Sequence, residues 1–342
     1  MIGQCPTPRV DGGLVHLAHG GGGQKSWDLI EKVFLPIFGD PSLGERSDAA
    51  VLPGGKHVVL TTDAFVVRPL FFSGGDIGRL AVFGSVNDLA MAGARPSYLT
   101  AAFILEEGLS MDILRRVAES MAAAAKEAGV RLVAGDTKVV GRGQADGLYI
   151  ATTGVGFLET TQRISPSQVT AGDVVLVSGD LGRHGVAVMA AREGLDFESA
   201  VESDCANLWP AVEALLLAGV EVHALRDLTR GGLTSAVNEI ARSSGTALRL
   251  EESAVPVSPP VRAACEVLGL DPLAVANEGR FIVYVPEKDV NRVLDAVRPF
   301  SPEVCAVGHV LPGPSGRVTV RPLLGGERLL DMLSGELLPR IC

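Results

Sequence analysis

The chain has 342 residues, 47% of them hydrophobic and 20% charged. That composition excludes a disordered chain, and the length suits two domains of roughly 100–200 residues each. Lys and Arg total 30 against 40 Asp and Glu, a formal net charge of −10, which argues against sequence-independent binding along a nucleic-acid backbone.

The first 24 residues are Gly-rich and close on His19-Gly20-Gly21-Gly22-Gly23. Ser26 is placed to cap a helix running to about Phe38. The run AAVLPGGKHVVLTTDAFVV reads as a hairpin turning at Pro53-Gly54-Gly55. A helix follows from about Asp76, with Gly93 and Pro96 as stop signals. SYLTAAFIL is a strand, Ser110 caps an Ala-rich helix ending at Gly129, and VRLVAG and GLYIATTGVGF are strands. This first unit therefore contains a βαβ crossover.

A boundary falls near residues 160–172, where Ser, Thr, Gln, Pro and Gly replace the apolar pattern. DVVLVSG then reads as a buried strand, followed by the loop GDLGRHG and a helix. VHALRD is a strand and GGLTSAVNEIARSS a helix. ALRLEES, a helix through Cys265, FIVYV, a helix near 287–297 and EVCAVGHV continue the alternation. After Pro322 the tail reads as a mobile arm. The expected divisions are a Gly-rich segment 1–24, a first domain 25–165, a second domain 166–322 and a tail 323–342.

Five cysteines occur, Cys5, Cys205, Cys265, Cys305 and Cys342. An odd number without a C-x-x-C pair disfavours a disulfide framework, a zinc site or an iron–sulfur cluster. No charge-free run reaches the roughly 18 residues of a membrane span, and the N-terminus has no apolar secretory core. A cytoplasmic protein is expected.

Several side chains could carry chemistry. Asp48 and Asp63 are expected at the open end of the hairpin. Asp88 follows Asn87 near the end of the next helix, one turn beyond Gly84. Asp136 ends a strand as Gly-Asp-Thr-Lys, and alternation puts it on one side with Lys138. Converging carboxylates repel unless a cation sits among them, and Mg²⁺ is commonly held by a few carboxylates plus phosphate. Taken singly, each Asp reads first as a turn or cap residue.

The glycines 20–23 are either a phosphate cradle or a linker. His184 and Arg230 sit in loops that open helices, where an anion or ordinary loop chemistry is the choice. Glu278 precedes the strand FIVYV, solvated or catalytic. No Ser-His-Asp triad, nucleophile elbow or H-E-x-x-H motif occurs.

The ordered segments SDAAVLP, FFSGGDIGRLAVFGSVNDLAMAGARP, VAGDTKVV, GDLGRHG, RDLTRGGLTSAVNEIA, LGLDPLAVANEGR and the terminal LPRIC resemble one family. It is the HypE family of hydrogenase maturation proteins, in the aminoimidazole ribonucleotide synthetase-like superfamily. The likeness runs from about His19 to Cys342.

The resemblance implies an α/β fold of two domains. The first would form a β-barrel-like core with a second copy in a homodimer, and the second would be α/β with a flexible tail. It implies ATP in a cleft near the dimer interface, with Mg²⁺ held by Asp48, Asp63, Asp88 and Asp136. Gly20, Gly21, Gly22, Gly23, Asn87, Lys138 and Arg230 would hold the nucleotide.

It further implies that Cys342 receives a carbamoyl group from the carbamoyltransferase HypF. ATP-dependent dehydration would turn the thiocarboxamide into a thiocyanate, and the cyanide would pass to iron on a HypC–HypD scaffold. Phosphorylating the amide oxygen makes it a good leaving group, and Glu278 is the family-matched base, with His184 the next candidate. The N-terminal loop departs from the family pattern, with only glycines where one small polar residue is expected. The competing readings are another kinase or synthetase of the superfamily, which needs no terminal thiol, and a non-catalytic carrier of Cys342.

Overall fold

The computed structural model describes residues 13–16, 19, 28–39, 54–194, 201–313, 316–322, 324–331 and 341. Asp48, Gly20 to Gly23, the first arm of the expected hairpin and Cys342 therefore lie outside the described residues. The helix expected before Phe38 is present as a π-helical stretch, Ile30–Phe34, running into α1, Leu35–Phe38, and closing on the left-handed Gly39.

In the first unit, four described strands make one sheet. They are β1 (Val58–Phe65), β4 (Ala94–Glu106), β5 (Arg131–Val140) and β6 (Leu148–Leu158), in the order β1-β6-β4-β5. The strands β4 and β5 are parallel, joined by helix α3, Met111–Ala128. The other pairings are antiparallel. Ser110 caps α3 through the Asp112 N–H, and Gly129 ends it in the left-handed conformation, as its sequence signals imply. The strand β4 begins before the expected Pro96 stop. The register shifts between Pro96 and Tyr98, and such a bulge lets a strand accept a proline.

Helix α2, Ile77–Met91, is capped by the Asp76 carboxylate, which accepts from the Gly78 and Arg79 N–H groups. A two-strand ribbon, β2 (Phe71–Phe72) with β3 (Gly75–Asp76), precedes it. The helix is apolar nearly all round and buried on almost every side, which is the pattern of a central helix and not of a surface one. It packs on the sheet, on α3 and on the second unit.

The second unit is a seven-stranded sheet among the described residues, in the order β13-β12-β9-β11-β7-β10-β8. Its strands are β7 (Asp173–Val177), β8 (Ala224–Asp227), β9 (Ala247–Glu251), β10 (Phe281–Pro286), β11 (Cys305–Leu311), β12 (Val318–Arg321) and β13 (Arg328–Leu329). Strands alternate with helices along the chain, yet only β9 and β12 pair in parallel. The helices are α4 (Arg183–Glu193), α5 (Trp209–Leu217), α6 (Gly232–Ser244), α7 (Pro259–Leu268) and α8 (Val290–Val297).

Helix α5 and strands β12 and β13 are additions to the sequence reading. Pro210 in the first turn marks α5. Part of the tail is therefore built into the fold: β13 pairs with β12, and Asn238 donates to the Leu330 carbonyl at 2.9 Å. No helix among the described residues is long and apolar enough to cross a membrane.

Candidate active site

Between the two units lies a cavity of about 220 Å³, lined by Thr62, Asp63, Gly84 and Asp88 from the first and Arg226, Asp227, Thr229, Arg230 and Glu278 from the second. Each wall follows from local structure. Odd residues of β1 face α2, so Thr61 donates to Asp88 at 2.7 Å and Asp63 is turned the same way. Gly84 leaves the space: a Cβ there would stand 2.7 Å from the Phe65 ring and 3.4 Å from the Asp63 carboxylate. Asp227 ends β8, and the turn after it needs glycine twice. Both Gly231 and Gly232 have positive φ, and a Cβ on Gly232 would meet the Val275 carbonyl at 2.6 Å.

Glu278 is 4% exposed, and its Oε1 has no hydrogen-bond partner among the described residues. Its backbone is gripped tightly. The Asp204 carboxylate accepts from the Glu278 and Gly279 N–H groups at 3.3 and 3.1 Å. A Cβ on Gly279 would overlap the Asp204 carbonyl at 1.8 Å, so only glycine fits there. Arg280 then forks onto the Asp180 carbonyl and carboxylate at 2.9 and 2.6 Å.

The carboxyls perturb one another. Burial raises Glu278 well above the ordinary range, and Asp227, Asp204, Asp63 and Asp88 push it further. Burial, with Asp88 beside it, raises Asp227 to about 7. Asp63 and Asp88 are raised by burial as well, the first opposed by the Ala64 N–H and Arg230, the second by the Thr61 hydroxyl. Such a set favours protons or a cation.

Among the described residues no three candidate ligands form a ready-made metal cage. The donor set nonetheless suits Mg²⁺, a hard ion often held by one or two carboxylates plus phosphate oxygens.

The other expected site residues are elsewhere. Asp136 and Lys138 share a face and an ion pair of 3.0 Å, as alternation requires. The register Ala64–Ala151–Ala102–Asp136 sets them three strands from β1 and on the face opposite Asp63, about 14 Å away across the sheet. Asn87 is buried and spent on backbone: it donates to the Ala206 and Glu278 carbonyls at 3.0 and 3.3 Å and accepts from the Leu208 N–H at 2.9 Å. His184 is fully buried with both ring nitrogens bonded, to Ser203 and to the Ile341 carbonyl, so it is not a waiting base. Asp227 and Arg226 were overlooked as site residues. Their signal was an Arg-Asp pair ending an apolar strand, just before Thr-Arg-Gly-Gly.

A two-unit α/β chain with a carboxylate-lined cleft between its sheets defines the AIR synthase-related class. The N-terminal domain of "AIR synthase related protein" matches residues 46–158, and the C-terminal domain matches 170–321. "Carbamoyl dehydratase HypE" of Rhodobacter capsulatus is 49% identical over 333 residues, spanning 96% of this chain and 98% of that protein. A crystal structure of the hydrogenase maturation protein HypE in complex with ATP matches with a TM-score of 0.92 at 47% identity, covering 95% of this chain and 99% of that one. A HypE–HypF complex matches with a TM-score of 0.78 at 43% identity, covering 89% and 99%. The chain belongs to the HypE family of hydrogenase maturation proteins.

Proposed function

We propose that this chain is an ATP-dependent carbamoyl dehydratase whose substrate is a carbamoyl group carried on its own Cys342. The product is the S-cyanate, a source of the cyanide ligands of hydrogenase iron. The reading rests on 49% identity to a carbamoyl dehydratase over 96% of this chain together with one observation: a buried carboxylate, Glu278, with an open oxygen at a polar interdomain cavity.

The cavity is sized for the phosphate end of ATP and a cation. ATP supplies the phosphoryl group that turns the amide oxygen into a leaving group. Mg²⁺ would be held by Asp63 and Asp88 and would offset phosphate charge; of the further ligands the family implies, Asp48 lies outside the described residues and Asp136 faces away from this cavity in its own chain. Arg230 adds a cation at the rim. Glu278 takes the amide protons. Its desolvated carboxyl is a stronger base than one in water once ionised, and the Asp204 and Arg280 contacts hold it still.

HypF is the proposed carbamoyl donor, because a HypE–HypF complex exists among the solved relatives. A HypC–HypD iron scaffold in the cytoplasm is the proposed acceptor. The work divides between a first domain, 25–165, a second, 166–322, and a tail from 323 that presents Cys342.

A homodimer is part of the proposal. On the face of the first sheet turned away from α2, Val58 and Leu60 are 57% and 64% exposed and Ile104 is 37% exposed. Asp136 and Lys138 stand on that same face, where a second copy would meet them.

The test uses intact-protein mass. Protein carbamoylated on Cys342 and then given ATP and Mg²⁺ loses the mass of one water. Carbamoylated protein that keeps its mass while turning over ATP would sink the reading.

A further inference from the structure

His184 is the second residue of α4 and 0% exposed. Its Nε2 lies 3.0 Å from the Ile341 carbonyl oxygen and its Nδ1 2.8 Å from the Ser203 hydroxyl. A carbonyl can only accept, so Nε2 carries the proton. Nδ1 is then the acceptor, and Ser203 donates to it. The Ser203 oxygen in turn accepts from the Cys205 N–H at 3.1 Å. The bonds run in one direction, from Cys205 through Ser203 and His184 to Ile341.

The receiving carbonyl belongs to the peptide group that joins Ile341 to Cys342. Peptide groups are planar, so a donor on that oxygen constrains the plane of the peptide group that follows Ile341. The Ile341 side chain is 3% exposed within the main core. The Phe72 ring stands edge-on to the imidazole at 5.3 Å, which holds the ring plane.

The segment that orients His184 also holds the candidate base. Ser203 bonds the imidazole, while Asp204, next in the chain, accepts from the Glu278 and Gly279 N–H groups, and the Ala206 N–H donates to the Glu278 carbonyl at 3.4 Å. Residues 203–206 thus form a bracket, with the terminal peptide at one end and Glu278 at the other. We infer that His184 and Ser203 are positioning residues that seat the terminal peptide in fixed register with Glu278. This rests on the reading that Cys342 carries the reacting group and Glu278 accepts its proton. His184 itself transfers no proton in that scheme, because both ring nitrogens are engaged.

The test measures seating and chemistry separately. Seating is the rate at which a thiol reagent labels Cys342, read on the C-terminal peptide by mass spectrometry. Chemistry is single-turnover water loss from the carbamoylated protein at saturating ATP. In His184→Leu, labelling should speed up and water loss should slow, each by roughly tenfold, the effect of losing one buried hydrogen bond. ATP affinity should stay within about twofold, since His184 does not line the cavity.

His184→Gln restores an N–H donor and should recover most of both rates. Ser203→Ala should shift both in the direction of His184→Leu, and it serves as the decisive variant if His184→Leu does not fold. Unchanged labelling in both Ser203→Ala and His184→Leu overturns the inference, as does slowed water loss with unchanged labelling, which would put His184 in the chemistry. Wild-type protein that loses no water would overturn the dehydratase reading, while the labelling rates would still report on the seat.

Discussion

Glu278 meets two demands that oppose each other. A base that strips an amide must be poorly solvated, yet it must ionise. Burial and four neighbouring carboxylates raise its proton affinity, and its Oε1 has no partner among the described residues. Exchange of that group for an amide keeps the shape and removes the base. Glu278→Gln is expected to bind ATP near-normally and to accumulate carbamoylated Cys342, with water loss slowed by about 10²–10⁴-fold. Water loss at the wild-type rate in that variant would remove Glu278 from the mechanism.

Asp227 supports a pH prediction. Its carboxyl titrates at about 7 in the folded chain against an ordinary 3.8. The folded state therefore holds a proton that the unfolded chain releases. The stability this confers is complete below about pH 4 and is lost as pH rises through about 7, at most about 4 kcal/mol in all. The metal-free protein should melt at a lower temperature at pH 8 than at pH 5, and Asp227→Asn should flatten that slope. Mg²⁺ should stabilise more as pH rises, since it replaces protons among the carboxylates. A slope identical in Asp227→Asn and wild type would show that other groups set it.

At the scale of elements, the sequence was most legible where local chemistry decides. The helix start near Asp76, Ser110 as a cap, Gly129 as a stop, and the apolar runs of β7 and β10 are all where their residue types demand. Long-range pairing was not legible. Nothing local says that β1 pairs with β6, nearly a hundred residues away, or that β12 and β13 extend the second sheet. The same limit applied at the site. Asp63, Asp88 and Arg230 meet at the cavity as expected, but alternation turned Asp136 and Lys138 to the far face.

Asn87, which matches a family motif, makes structural contacts. Its amide ties α2 to residues 206–208 and to Glu278 across the two units. Asn87→Ala should cost about 3 kcal/mol, roughly one per hydrogen bond with orphaned backbone groups left behind. A lowered urea midpoint with an unchanged slope would show it. A variant of wild-type stability with lost ATP affinity would mean instead that the amide reaches the nucleotide.

For the whole molecule, the described residues cover the first sheet on one face only. The helices α2 and α3 bury its inner side, and the outer side carries Val58, Leu60 and Ile104 beside threonines and alanines. A contiguous exposed apolar patch on a sheet face is a candidate association surface. The proposed partner is a second copy, whose matching face would cover these residues. Leu60→Lys tests the whole of this. Leu60 is 64% exposed in the single chain, so the substitution opens no cavity and should cost each copy little. At a buried dimer interface the same change places two ammonium groups where they lose water without a counter-ion. Light scattering should therefore report a monomer where wild type is a dimer, with the circular dichroism spectrum unchanged. Turnover of ATP should fall steeply in the monomer, as the proposed sharing of Asp136 and Lys138 between copies requires. A Leu60→Lys protein that stays dimeric would show that association uses another surface, and a monomer with full turnover would show that one chain holds a complete site.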